Sequence, residues 1–136
     1  MTALVRHDAS VEAVLRPPGA KIGADAAEIA RLYADLDRVN ERDNPRTARL
    51  LACGRSKLAQ KLVEEAAETA LEAARNRSRG VVRESADLVY HLVMLWHDCG
   101  VTPDEVWAEM QRRADKLGIA EKLPKSPGRR AAECGR

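Results

Sequence analysis

The chain has 136 residues, enough for one hydrophobic core of ordinary size and too few for two. Hydrophobic residues make up 45% and charged residues 32%, which excludes a disordered polar chain. A net charge of +2, from 23 basic and 21 acidic residues, excludes a nucleic-acid binder that works through a strongly basic surface.

Residues 1–24 contain Pro17-Pro18-Gly19 and read as an irregular leader, in which Arg6, His7 and Asp8 break any apolar signal-like stretch. Asp25 and Glu28 have capping-box spacing. Ile29, Leu32, Tyr33, Leu36 and Val39 then recur at helical intervals, so a first helix is expected over about 26–40. Asn44-Pro45 opens a short helix that stops near Gly54. A long helix follows over about Ser56–Arg75, then a turn at Asn76–Gly80 and a second long helix over about Val81–Cys99, closed by Gly100. Thr102-Pro103-Asp104-Glu105 is a full capping box, and its helix runs to Gly118. From residue 122 the chain reads as a basic tail, leaving 25–121 as the domain. No alternating strand pattern stands out, so the expected class is all-α, a bundle of four to five helices. The apolar run Leu88–Trp96 is half a membrane span, and a cytoplasmic protein without membrane or nucleic-acid partners is expected. Cys53, Cys99 and Cys134 show neither disulfide nor zinc spacing, and Cys53 and Cys99 are read as helix-packing residues.

The two long helices carry the informative residues. On the first, Leu58, Ala59, Leu62, Val63, Ala66, Thr69, Ala70, Ala73 and Ala74 fill one half of the wheel, the expected core face. Lys57, Lys61, Glu64, Glu65, Glu68 and Glu72 crowd an opposing arc of about 100°. An ordinary wetted face would look similar, but Glu64/Glu68, Glu68/Glu72 and Glu65/Glu68 are like-charge neighbours that a cation would relieve. On the second, residues 88–96 are apolar nearly all round, and the polar exception is a narrow stripe with Glu84, Asp87, His91 and Asp98. Carboxylates on a mostly buried helix need a partner, either an arginine such as Arg83 or a metal ion. An all-oxygen donor set suits Mg²⁺, with Mn²⁺ as substitute. Zinc would want clustered His or Cys, and a di-iron bundle would want Glu-x-x-His.

Lys61-Leu-Val-Glu64-Glu65-Ala-Ala-Glu68-Thr and Glu84-Ser-Ala-Asp87-Leu-Val-Tyr90-His91-Leu, with fifteen residues between Glu68 and Glu84, resemble the phosphoribosyl-ATP pyrophosphohydrolases of histidine biosynthesis. These are MazG-type all-α enzymes, and the likeness runs over about 25–120. It departs at Val63, where the family usually has Gly, and at Pro45-Arg46, where it usually has Ser-Tyr. The resemblance implies Mg²⁺-dependent hydrolysis of phosphoribosyl-ATP to phosphoribosyl-AMP and pyrophosphate by a homodimer. It suggests Glu65, Glu68, Glu84 and Asp87 as metal ligands, with Glu64 or Glu65 acting on the attacking water. Lys61, Lys57, Thr47, Arg83 and His91 are candidate substrate contacts. Two alternatives stay open: a house-cleaning (d)NTP pyrophosphohydrolase of shifted specificity, and a catalytically silent helical interaction module.

Overall fold

The computed structural model describes residues 25–124, so the leader and most of the basic tail lie outside the described residues. Five helices follow one another: α1 (Ala27–Asp35), α2 (Pro45–Cys53), α3 (Arg55–Ala74), α4 (Ser78–Cys99) and α5 (Pro103–Leu117). A 3₁₀ turn, Leu36–Arg38, extends α1. No strand occurs among the described residues.

Local chemistry sets most boundaries. The expected capping box does not form at α1: the Asp25 carboxylate accepts from the Ala27 N–H at 2.8 Å, two residues on, and the Glu28 side chain turns to Arg31. Gly54 alone joins α2 to α3, at φ 86 and ψ 177, a conformation essentially reserved for glycine. The turn between the long helices is tighter than Asn76–Gly80. Asn76 takes the left-handed conformation at φ 55, and the Arg77 N–H reaches back to the Glu72 carbonyl at 3.0 Å. With α3 closed that economically, α4 begins at Ser78 rather than Val81. At α5 both halves of the Thr102/Glu105 capping box are present.

α3 and α4 form an antiparallel hairpin, the dominant packing in the molecule; α1 lies on α4 and α2 on α3. The core sits at one end of the hairpin. Leu36, Leu58, Val93 and Met94 are buried there, flanked by Ile29, Leu32, Tyr33, Leu50, Leu51, Leu95 and Trp96. Polar ties close that end: Arg55 Nε donates to Asp98 at 2.7 Å, and His97 Nε2 lies 2.7 Å from Asp37. Trp96 meets Trp107 of α5 edge to face at 6.0 Å.

α3 is rolled away from the orientation its sequence suggests. Leu58 and Glu65 are its buried residues, whereas Val63 is 69% exposed and Ala59, Ala66, Ala70, Ala73 and Ala74 are open. The arc that meets α4 is thus centred between the leucines and the acids, and much of the alanine face is left outside. Cys53 and Cys99 are exposed rather than packed.

Candidate metal centre

The inner halves of α3 and α4, beyond the core, face each other through polar groups. On a helix, Glu84, Asp87 and His91 fall within about 60° of arc, and this is the side α4 turns to α3. Glu65 and Glu84 are buried at 5% and 8% exposure. Each of Glu65, Glu84 and Asp87 offers a carboxylate oxygen, and the three oxygens lie within 4.8 Å of one another. Asp87 is exposed and gives the cluster its opening to solvent.

Glu68 stands beside this trio at the solvent edge. Its carboxyl is held above the usual carboxylate range, first by the charge of Glu65, then by partial desolvation and a hydrogen bond shared with Glu84. Negative charge therefore accumulates faster than protein cations relieve it. The cations sit at the two ends. Lys61 Nζ is 2.6 Å from Glu64 and 3.2 Å from Glu65. The Arg83 guanidinium donates twice to Glu84 Oε1, at 3.0 and 2.8 Å, but its side chain is 71% exposed. A hard divalent cation matches the unmet demand: all donors are oxygens, two are already desolvated, and the open side leaves room for water or phosphate.

The other sequence candidates fall around this centre. Glu64 is on the flank, not in the trio; Lys61 and Gln60 bond it and draw its pKa below the usual value. Lys57 donates to Gln60 at 3.3 Å rather than to a carboxylate. His91 is fully buried, and its Nδ1 lies 2.8 Å from the Asp87 carbonyl. A carbonyl only accepts, so Nδ1 carries the proton, and Nε2 has no partner among the described residues. Thr47 is remote in sequence from the acids and shares a 2.5 Å hydrogen bond with the Tyr90 hydroxyl. Tyr90 separates two grooves. One, of about 370 Å³, is lined by Leu32, Arg38, Asn44 and Thr47 among others. The larger, of about 510 Å³, is lined by Ile29, Leu32, Ser85, Ala86 and Val89 among others, on the side of α4 away from the acids. Gln60, which links Lys57 to Glu64, went unassigned in the sequence, and Tyr90 stood within the Glu84-to-Leu92 motif without an assigned role.

Two antiparallel helices, each bringing acids at i,i+3 spacing to one cleft, define an all-α protein of the carboxylate-cluster kind. Residues 21–114 match the family model described as phosphoribosyl-ATP pyrophosphohydrolase, and the chain belongs to that family. It is 50% identical over 103 residues to phosphoribosyl-ATP pyrophosphatase 2 of Rhodopseudomonas palustris, an alignment covering 74% of this chain and 79% of that protein. It is 52% identical over 100 residues to the protein of the same name from Bradyrhizobium diazoefficiens, covering 72% and 75%. Against phosphoribosyl-ATP pyrophosphatase of Rhodospirillum rubrum the identity is 44% over 110 residues, covering 81% and 91%.

Proposed function

We propose that the chain hydrolyses phosphoribosyl-ATP to phosphoribosyl-AMP and pyrophosphate, in histidine biosynthesis in the cytoplasm, with Mg²⁺ held at the α3–α4 cleft. The observation that carries this reading is the convergence of the Glu65, Glu84 and Asp87 oxygens within 4.8 Å in a member of this family. Glu65, Glu84 and Asp87 hold the cation, and Glu68 borders it as a further ligand. Mg²⁺ bound there supplies charge neutralisation for the departing pyrophosphate. Lys61, Lys57 and Arg83 furnish protein cations for the phosphate chain. Glu64, kept ionised by Lys61 and Gln60, orients the attacking water through a hydrogen bond; its lowered pKa makes it a weak base. His91 steadies the turn of α4 that presents Asp87, through its bond to the Asp87 carbonyl.

The direct test is pyrophosphate release from phosphoribosyl-ATP beside a panel of dNTPs, with Mg²⁺ and with chelator. Turnover of phosphoribosyl-ATP alone, lost in chelator, is expected; preference for a dNTP would overturn the substrate. The chain is further proposed to pair with a second copy through apolar side chains left open on the outer sides of the hairpin, among them Val63 and Leu71 on α3 and Val82 on α4. Sedimentation should find a dimer that Val63→Asp weakens. A monomeric native protein with full activity would end that proposal.

A further inference from the structure

Lys61 occupies an unusual place beside the carboxylates. It precedes Glu64 and Glu65 by one turn of α3, its side chain is only 21% exposed, and its ammonium bonds both acids. The oxygen it holds at 3.2 Å is Oε1 of Glu65, a residue with 7% side-chain exposure that also belongs to the trio facing Glu84 and Asp87. Lys57, one turn earlier, makes no such contact among the described residues and ends on Gln60. Gln60 in turn takes one Glu64 oxygen at 2.8 Å, leaving the other to Lys61 at 2.6 Å. The ammonium is therefore braced in position rather than swinging free, and it draws on the same carboxylate that a divalent ion would use.

We propose that Lys61 is a resident counter-ion of the metal centre, which a divalent cation must displace from Glu65 in order to load, and which that displacement frees for phosphate. The proposal rests on the metal-centre reading above. An ammonium neutralises part of the acidic cluster before the ion arrives, so the fold tolerates these acids at low metal concentration. The same contact weakens metal binding by the free energy of the bond that must be given up. Once released from Glu65, the ammonium keeps only its bond to Glu64 at the edge of the cleft, where a polyphosphate would compete for it. Metal loading would thus set the cation that greets the substrate.

Two measurements on the full-length protein without nucleotide decide the matter. The first is Mn²⁺ affinity, from the fall in free-ion electron paramagnetic resonance signal. Lys61→Gln should bind Mn²⁺ about tenfold more tightly than the native chain, equivalent to about 1.4 kcal/mol. Lys57→Gln, which removes the same charge one turn away, should change affinity by less than about threefold. The second is the acetylation rate of each lysine by acetic anhydride, mapped by mass spectrometry. Mg²⁺ should accelerate modification of Lys61 severalfold relative to Lys57. Unchanged or weaker Mn²⁺ binding by Lys61→Gln, equal tightening by Lys57→Gln, or Lys61 labelling indifferent to Mg²⁺ would each overturn the proposal. Glu65→Gln separates the two levels: if it leaves Mn²⁺ binding intact, the metal-centre reading itself fails. If it abolishes binding while Lys61→Gln does nothing, only the role of Lys61 falls.

Discussion

Glu84→Gln should make the metal-free protein more stable and the metal-loaded protein relatively less so. In the native chain Glu84 is 8% exposed, and its carboxylate lies no more than 4.8 Å from that of Glu65. At an effective dielectric constant of about 20, such a pair repels by about 3.5 kcal/mol or more. The compensating partner, Arg83, is 71% exposed, and an ion pair of that kind contributes at most about 1 kcal/mol. Lys61 beside Glu65 cancels part of the repulsive field, so a gain of about 2 kcal/mol is expected from the neutral amide, which can also donate to Glu65 or Glu68. For a domain of this size that raises the melting temperature by roughly 10 °C. Saturating Mg²⁺ should reverse the order. At 1,000 times its dissociation constant a ligand stabilises the native state by about 4.1 kcal/mol, and the variant should lose most of that response. The assay is thermal or urea denaturation in chelator and in Mg²⁺, at one fixed protein concentration because a dimer's stability depends on it. A variant less stable than the native chain in chelator, or equally stabilised by Mg²⁺, would refute the reasoning.

Other residues give sharper tests of the scaffold. Leu58→Ala, at a site with no exposure in the small core, should lose about 2–5 kcal/mol in urea denaturation. Thr102→Ala removes the acceptor for the Glu105 N–H and should lower stability by about 1 kcal/mol, read as a lower melting temperature. Glu109 is held by Arg112 and Arg113, which lower its pKa from 4.5 to about 2. Its contribution is therefore complete above pH 4.5 and disappears as pH falls toward 2, because protonation breaks both pairs. Glu109→Gln should flatten the decline of melting temperature over that window; an unaltered slope would show that the pairs contribute nothing.

Helix order and most helix ends were legible in the sequence, because they depend on local chemistry: Pro45 and Pro103 at first turns, Gly100 and Gly118 in left-handed closures, the Thr102/Glu105 box. The acids were legible too, through their i,i+3 spacing on consecutive helices. The roll of α3 was not. Its wheel has a broad alanine arc beside the acids, and periodicity cannot say which part of that arc meets α4 and which stays outside. For that reason Glu65 emerges buried and Val63 open. The Thr47–Tyr90 contact spans 43 residues and has no local trace at all. Nor did the two exposed cysteines announce themselves, since small residues on helices read as packed wherever they point.

The three-residue joint between Ala74 and Ser78 makes the α3–α4 hairpin a measuring device. All the oxygen donors, and the lysine that guards them, lie within residues 61–87, a single uninterrupted stretch of chain. Adding or deleting one residue of α4 ahead of Glu84 would turn that row of acids by about 100° around the helix axis and slide it about 1.5 Å. The chemistry is therefore tied to length as strictly as to residue type in this stretch. Variation in chain length is best tolerated in the connections outside it, and an alteration in the joint itself would be felt first as a loss of cation affinity while the helices still formed.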